Sequence, residues 1–310
     1  MQIMATTVSV LIISYGNYYG LKHTVESVLK QSYPISEIIL SDDGSGKEFP
    51  EHVLQILENA PCKVFIRRGK ENLGTTAHLN LVAQRAHGTY LKFIAAGDVF
   101  SDENSLSALV EFAELKKAIV VSSNTLICSQ NLKTKYYQFP GYMRGMKLQC
   151  EGKRLFAVLA KANIISAVSA LIHKDFFEKY GGFDTSYRLL EDWPSWLQLA
   201  KKGVALPFLE RVTCMHAMGG ISSRDGDAYH SNALKADMIR CYEQEILPEI
   251  SLFSKRDQRK IRYNYQKLSN NKKMLREKYF DLYVLDNVKQ LVKCAIQKKG
   301  YHSDSGREEK

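Results

Sequence analysis

Apolar residues arrive along the first hundred positions in short dense runs, separated by stretches with helical spacing. Val8–Ser14 is a continuous apolar run that predicts a first strand. Tyr19–Gln31 follows with Leu21, Val25, Val28 and Leu29 at helix-like intervals. Ile35–Ser41 predicts a second strand ending at SDDGSG, Phe49–Asn59 a helix, and Cys62–Arg67 a third strand. The segment ENLGTTAHLNLVAQRAHG predicts a loop and then a helix that stops at Gly88. Residues 90–100, YLKFIAAGDVF, close an apolar run abruptly on Gly97-Asp98. Unbroken apolar runs, rather than alternating ones, indicate strands covered on both faces. Strand and helix alternating at this spacing predict right-handed crossovers and a parallel sheet.

Beyond Asp98 the rhythm loosens. Asn104–Lys117 predicts a helix, Ile119–Ile127 a strand, and the chain through Phe139 a hairpin-like return. A helix is expected over 152–162, an apolar strand over Ile164–His173, a helix over Pro194–Lys202 and a further strand over Ala205–His216. From about Ser231 to Lys299 the pattern is mostly helical, and the tail YHSDSGREEK reads as disordered. The expected division is a main domain over 1–226, with a donor half to about residue 100 and an acceptor half after it. A basic helical extension over 227–300 and a tail over 301–310 complete the chain.

Charge sharpens this division. The net charge is +10. Between Ser254 and Gly300 there are 14 Lys/Arg against 4 Asp/Glu, so the rest of the chain sums to about zero. A neutral body with a basic extension suits an anionic partner. The candidates are an anionic membrane surface and nucleic acid; the plainer reading is lysines on solvated helix faces. Neither an RNA-binding aromatic motif nor a helix-turn-helix signature stands out, so no nucleic-acid partner is expected. No apolar run reaches the ~20 residues of a membrane span. The start lacks a basic leader, and the six cysteines are scattered with no C-x-x-C pair. Both point to a cytoplasmic protein with free thiols.

Three clusters fall where a parallel sheet presents its ligand-binding edge. Ser14-Tyr15 follows the first strand, Asp42-Asp43-Gly44-Ser45 the second and Gly97-Asp98 the fourth. A carboxylate after the second strand can accept a hydrogen bond from a ribose hydroxyl or base N–H. One after the fourth can hold a hard divalent cation, whose charge would neutralise a diphosphate. Each has a plainer alternative: Asp-Gly favours a turn in any protein, and Asp98 could cap one. A dinucleotide-binding turn is excluded because SYGNYYG is not G-x-G-x-x-G, and no P-loop signature is present.

These segments together resemble the family-2 inverting glycosyltransferases of the GT-A fold. The resemblance spans roughly residues 7–225. It rests on VSVLIISYGNYYGLKHTVESVLKQSY, EIILSDDGS, ENLGTTAHLNLVAQRAHGTYLKFIAAGD and GGFDTSYRLLEDWPSWLQLAKKG, in that order. It implies an α/β, Rossmann-like sheet flanked by helices, acting on a nucleotide-sugar donor, with UDP-sugar favoured. Ser14, Tyr15 and Asp42, with Asp43, Asn72, Gly74 and Gly97 beside them, would then meet the nucleotide. Asp98 matches the last carboxylate of the family's Asp-x-Asp-type metal motif, and His216 lies where some members place a further metal or diphosphate ligand. The implied cation is Mn²⁺ or Mg²⁺. Glu191-Asp192 matches the motif that supplies the catalytic base, with Asp192 as base and Glu191 as its orienter or an acceptor-binding group.

The chain departs from the family at Ile94-Ala95-Ala96-Gly97-Asp98, where many members carry two or three carboxylates. That departure leaves open a transferase-like binding module without activity. A nucleotidyltransferase is a further alternative, weakened because the first turn lacks a basic residue. Trp193 and Trp196, the two tryptophans, are candidates for an acceptor platform, although Trp196 also suits a core. Gly219-Gly220 could hinge a lid. The implied partner is a lipid-linked glycan acceptor in surface polysaccharide assembly (O-antigen or capsule), met on the inner face of the plasma membrane.

Overall fold

The computed structural model describes residues 6–16, 18–219, 228–268, 272–289 and 291. The expected disordered tail over 301–310 and the basic residues after Leu291 lie outside the described residues, as does Gly220 of the expected hinge.

The first hundred residues fold as their pattern predicts. Strands β1 (Val8–Ser14), β2 (Glu37–Asp42), β3 (Lys63–Arg68) and β4 (Tyr90–Ala95) alternate with helices α1 (Leu21–Leu29), α2 (Glu51–Glu58) and α3 (Thr75–Ala83). The sheet order begins β3-β2-β1-β4, and all three pairings are parallel. β1 and β2 are buried along almost their whole length, which is why their sequences do not alternate. β3 is the edge, and it is the one strand here with lysine and arginine at its ends. One face of β1 packs Val8, Val10 and Ile12 against Leu21 and Val25 of α1 and Val53 of α2. Its other face packs Leu11 against Val82 and Ala83 of α3.

The second half extends the same sheet. After Asp98 comes a two-residue strand that the sequence pattern does not show, β5 (Val99–Phe100). Helix α4 (Ser105–Lys116) leads to β6 (Val120–Cys128), which turns back as β7 (Lys135–Phe139) in an antiparallel hairpin. Short α5 (Tyr142–Gly145), α6 (Gly152–Leu159), β8 (Leu171–His173), α7 (Asp175–Tyr180), α8 (Asp192–Lys201) and β9 (Phe208–Ala217) complete it. The full order is β3-β2-β1-β4-β8-β6-β9-β5, with β7 on β6. Pairing turns antiparallel at β4–β8 and β8–β6, so the sheet is mixed beyond β4.

The strand expected over Ile164–His173 is a correction. Only Leu171–His173 is strand, and Ala167–Ser169 forms a single 3₁₀ turn. Polar groups take over the backbone there. The fully buried Lys92 of β4 donates its Nζ to the carbonyls of Val168 and Ala170, and Ser169 Oγ donates to Ser123 O at 2.7 Å. The lysine satisfies these buried carbonyls without a neighbouring strand.

The C-terminal segment is helical but interrupted. Helix α9 (Ala228–Cys241) runs into a π turn at Tyr242–Ile246 and a 3₁₀ stretch over Leu247–Leu252 that contains Pro248. Then come α10 (Lys255–Leu268), α11 (Lys272–Lys278) and a helical stretch over 280–289. Cys241, Tyr242, Ile246, Phe253 and Ile261 share one apolar core with Leu155, Trp193 and Trp196 of α6 and α8.

The sheet end opposite the ligand edge is clamped by Glu37. Its buried carboxylate accepts from Ser9 Oγ at 2.5 Å, His87 N at 2.6 Å and His87 Nδ1 at 3.1 Å. Burial pushes this carboxyl up, but the hydrogen bonds from His87 and Ser9 outweigh it, so it titrates below its ordinary value. A depressed folded value means the stabilisation is present above the unfolded pKa and disappears as pH falls through the folded one. Glu37→Ala is therefore expected to cost about 1–3 kcal/mol at pH 7, because the buried Ser9 hydroxyl and the part-buried His87 amide lose their acceptor. The gap between variant and native chain should narrow below pH ~4 in urea melts. A gap independent of pH would contradict the assignment.

Candidate active site

Parallel register brings the three clusters to one edge. Ser14 stands opposite Asp42, and Ile13 opposite Ala95, so β1, β2 and β4 stop within a residue or two of each other. The turn after β4 is built around Gly97, whose φ of 102° lies in the left-handed region and whose N–H donates to Thr24 Oγ1 at 2.9 Å. Asp98 N then donates to Ala95 O at 3.0 Å. β5 pairs antiparallel with β9, Val99 against Met215, and this sets His216 beside Asp98.

Asp98 is 3% exposed. Its Oδ1 accepts from His216 Nδ1 at 2.8 Å and from Ala217 N at 3.0 Å, while its Oδ2 is buried with no hydrogen-bond partner. The charge of Asp98 holds the His216 imidazole above its ordinary value, against the opposing effect of burial. A buried carboxylate oxygen left without a donor is costly, and a hard cation is one group that would complete it. Among the described residues no group of three or more His, Cys, Asp or Glu could hold a metal by itself. The chain offers such an ion Asp98 and His216; the remaining oxygens would have to come from a ligand and water.

The second carboxylate pair sits at the start of α8. Trp193, Pro194, Trp196, Leu197, Leu199 and Ala200 are buried, so this helix is anchored nearly all round, with Pro194 pre-set for its first turn. Asp192 Oδ1 accepts from Trp193 N at 2.6 Å and Oδ2 from Asn163 Nδ2 at 2.8 Å. Glu191 O accepts from Ser195 Oγ at 2.6 Å. Burial, and then the neighbouring Asp192 charge, push the Glu191 carboxyl up to about 8. Burial also raises Asp192. Raised, mutually repelling carboxyls facing a cleft are the usual surroundings of a proton-transferring group.

A chain of contacts links the two sites. Asp43 accepts from Leu73 N at 3.1 Å and Gly74 N at 2.9 Å, pinning that loop to the end of β2. Arg188 Nη2 donates to Asn72 Oδ1 at 2.5 Å and Asn72 O at 3.2 Å, and Thr76 N donates to Arg188 O at 3.2 Å. From the other side Asp237 of α9, 5% exposed, accepts from Leu189 N at 2.6 Å and Leu190 N at 3.3 Å. The backbone just before Glu191 is thus held from both directions.

One open cleft of about 1320 Å³ is lined by Ser14, Tyr15, Asp43, Asn72, Gly74, Gly97, Asp98, Glu191, Asp192, Trp193 and His216. Eleven of the thirteen residues expected at the site therefore come together. Asp42 does not line it. Its carboxylate accepts from Ser45 Oγ at 2.5 Å, Ser45 N at 2.7 Å and Ser14 Oγ at 3.3 Å, and it borders a smaller hollow with Lys47 and Arg68. Successive residues at a strand end point to opposite sides, so Asp42 and Asp43 cannot both face the cleft. Trp196 is 1% exposed and packs against Phe176; with no free ring face it is a core residue, not an acceptor platform. Trp193 is 2% exposed, its indole N–H donating to Leu159 O at 2.9 Å, so only an edge of it borders the cleft. Asn163, Arg188 and Asp237 were not expected. Arg188 sits in the quoted YRLLED stretch and could have been flagged; the other two carry no local signal.

Comparison with known proteins decides the family. The pattern of "Glycosyl transferase family 2" matches residues 9–181. The chain belongs to this family. It is 26% identical over 198 residues to the Bacillus subtilis glycosyltransferase TuaG, named for teichuronic acid biosynthesis, covering 63% of this chain and 73% of that one. It is 26% identical over 181 residues to the poly-beta-1,6-N-acetyl-D-glucosamine synthase of Staphylococcus epidermidis, covering 57% of this chain but only 42% of that protein. Residues 1–349 of S. aureus TarS, crystallised with UDP-GlcNAc, superpose with a TM-score of 0.54 at 14% identity, covering 84% of this chain and 79% of that one. That likeness shows the GT-A fold. The family match ends before Glu191-Asp192 and His216, so those residues stand on geometry.

Gly74 tests the link between the two sites. Its φ is 87°, and a Cβ there would lie 2.7 Å from Arg188 Cγ and 2.9 Å from Arg188 O. Gly74→Ala is expected to cost about 1–3 kcal/mol in thermal or urea melts, from left-handed strain and displacement of Arg188. Unchanged stability would show that the loop contact is loose.

Proposed function

We propose that this chain transfers a sugar from a nucleoside-diphosphate sugar to a hydroxyl of a glycan acceptor, with inversion, in the assembly of a bacterial surface polysaccharide. The observation that carries this reading is the pairing, within one cleft, of an orphaned carboxylate oxygen on Asp98 with a raised-pKa carboxylate pair at Glu191-Asp192. UDP is the favoured nucleotide, because the TarS structure of the same fold holds UDP-GlcNAc. The nucleoside lies over Ser14, Tyr15 and the Asn72–Gly74 loop, with the hollow at Asp42 beside it. The diphosphate lies toward Asp98 and His216.

Inverting transfer needs a base on the acceptor hydroxyl and stabilisation of the leaving group. Burial and the Asp192 charge both favour a proton on Glu191, which makes Asp192 the ionised member of the pair in this reading. Asn163 and the Trp193 amide each occupy one Asp192 oxygen and fix the carboxylate plane. Asp192 takes the proton of the acceptor hydroxyl as the hydroxyl oxygen bonds to the anomeric carbon. The bond from that carbon to the diphosphate breaks and the electron pair leaves with the nucleotide. A divalent cation held by Asp98 and His216, Mn²⁺ or Mg²⁺, would supply positive charge to the departing diphosphate.

The acceptor is lipid-linked and is met at the cytoplasmic face of a membrane. Phe280, Val284, Leu285, Val288 and Leu291 are exposed along the last helical stretch, near Lys278 and Lys289. An apolar stripe flanked by lysines suits an anionic lipid surface. Among the described residues no helix is long and apolar enough to cross a membrane.

Asp192→Asn is expected to lower transfer by about 10²–10⁴-fold while retaining UDP binding. Activity should fall as pH drops through the pair's apparent pKa, since the base must be ionised. Because burial raises Asp192, that limb lies above the ordinary carboxylate range, and Glu191→Gln, a neutral stand-in for the protonated carboxyl, should leave it there. Native transfer rates in Asp192→Asn would remove it as base, and no transfer or donor hydrolysis by the native chain would favour a binding module. Separately, UDP at about a hundred times its Kd should stabilise the chain by about 2.7 kcal/mol, read as a higher Tm. Asp98→Asn should abolish the Mn²⁺-dependent part of that shift. Equal Mn²⁺ dependence in both would displace the cation from Asp98.

A further inference from the structure

The cleft is polarised. Among the described residues, every acidic one lining it belongs to the sheet edge or the α8 start: Asp43, Asp98, Glu191 and Asp192. Among the described residues, every lysine lining it lies on or next to a helix: Lys161 after α6, Lys235 on α9 and Lys267 on α10. Three elements therefore each contribute one ammonium group to one end. Asparagines accompany them, since Asn163 and Asn264 line the same region and Asn264 Nδ2 donates to Lys161 O at 2.8 Å.

Lys235 is half-buried in this wall and has no ion-pair partner among the described residues. It shares a helical face with Met238 and Tyr242, both of which also line the cleft. Tyr242 packs edge-on against Trp193, centroids 5.2 Å apart, next to Asp192. Lys161 and Lys267 are paired, at 3.1 Å with Asp257 and 2.7 Å with Asp286, but those carboxylates do not line the cleft. Behind this end α10 carries Lys255, Arg256, Arg259, Lys260, Arg262 and Lys267, set against Asp257 on the same helix and against Asp281 and Asp286, which pair with Arg259, Lys260 and Lys267. A half-desolvated ammonium with no counter-ion among the described residues, beside further lysines and arginines, is an arrangement that an incoming anion stabilises.

We propose that the acceptor is anionic, and that Lys235, supported by Lys161 and Lys267, holds a carboxylate or phosphate on it while its hydroxyl faces Asp192. This names the substrate class of the transferase site and rests on that reading. The neutral, hydroxyl-rich parts of the acceptor would meet Asn163 and Asn264. Charge on the acceptor then sets both its orientation and its selection over neutral glycans.

The test uses the whole chain saturated with UDP, with trigalacturonic acid, its neutral methyl ester and a glycerol phosphate dimer as probes in calorimetric titrations. The acid or the phosphate dimer should bind with salt-sensitive affinity, and whichever binds more tightly identifies the anion. The ester should bind at least about tenfold more weakly, and Lys235→Gln/Lys267→Gln should reduce binding of the acid or phosphate by about tenfold or more. UDP affinity, measured separately, should not change. The inference is overturned if neither anion binds, if acid and ester bind alike, or if the variant binds anions as the native chain does. A loss of UDP affinity in the variant would also overturn it, because the lysines would then hold the donor. A native chain that binds the acid but not UDP would instead refute the transferase reading alone.

Discussion

Parallel pairing is the constraint from which this molecule's chemistry follows. Strands that run the same way end at the same edge, so whatever follows β1, β2 and β4 is delivered to one place, however far apart it lies in the chain. In this chain the delivery is tightened by β5, two residues long, which ties the Gly97-Asp98 turn to the end of β9 and so sets His216 and the Ala217 amide on Asp98. Those contacts use one oxygen of the carboxylate. The other is left buried and unpaired, a cost the fold tolerates at its ligand edge.

The second wall of the cleft comes from far along the chain. Glu191 and Asp192 stand at the start of a helix buried nearly all round, and the loop that leads into them has no regular structure of its own. It is held by Arg188 on Asn72 and by Asp237 on two backbone amides. Asp43 in turn holds the loop that Arg188 grips. The donor edge and the carboxylate pair are therefore coupled through a short series of hydrogen bonds. Helix α9 takes part in that coupling, and its buried residues share the core that holds α8.

Much of this was legible in the sequence because it depends on short-range pattern. Apolar runs buried on both faces mark β1, β2 and β4, and the residues after them are placed at the edge by topology alone. His216 and Asp98, 118 positions apart, could be associated only through the family resemblance, because a histidine ending a strand carries no signal of its own. What escaped depends on tertiary contact. Lys92 replaces a strand with a turn at 167–169 by taking its carbonyls, and no local pattern announces that. Trp196 carries the same composition signal as a sugar platform and is core because it is buried against Phe176 within the larger apolar cluster. Asp42 and Asp43 are adjacent acids with opposite outlooks, a difference set by strand pleat. Asn163 and Asp237 are ordinary in sequence and matter only because the fold brings them to Asp192 and to the loop before it.

The central claim is that Asp98 and the Glu191-Asp192 pair face one another across a bound nucleotide diphosphate. Anomalous scattering from Mn²⁺ in crystals grown with UDP tests it most directly. The account predicts a single strong peak beside Asp98 Oδ2, bridged to the UDP phosphates, with the terminal phosphate on the side that opens toward Asp192. A peak remote from Asp98, or UDP seated outside this cleft, would contradict it.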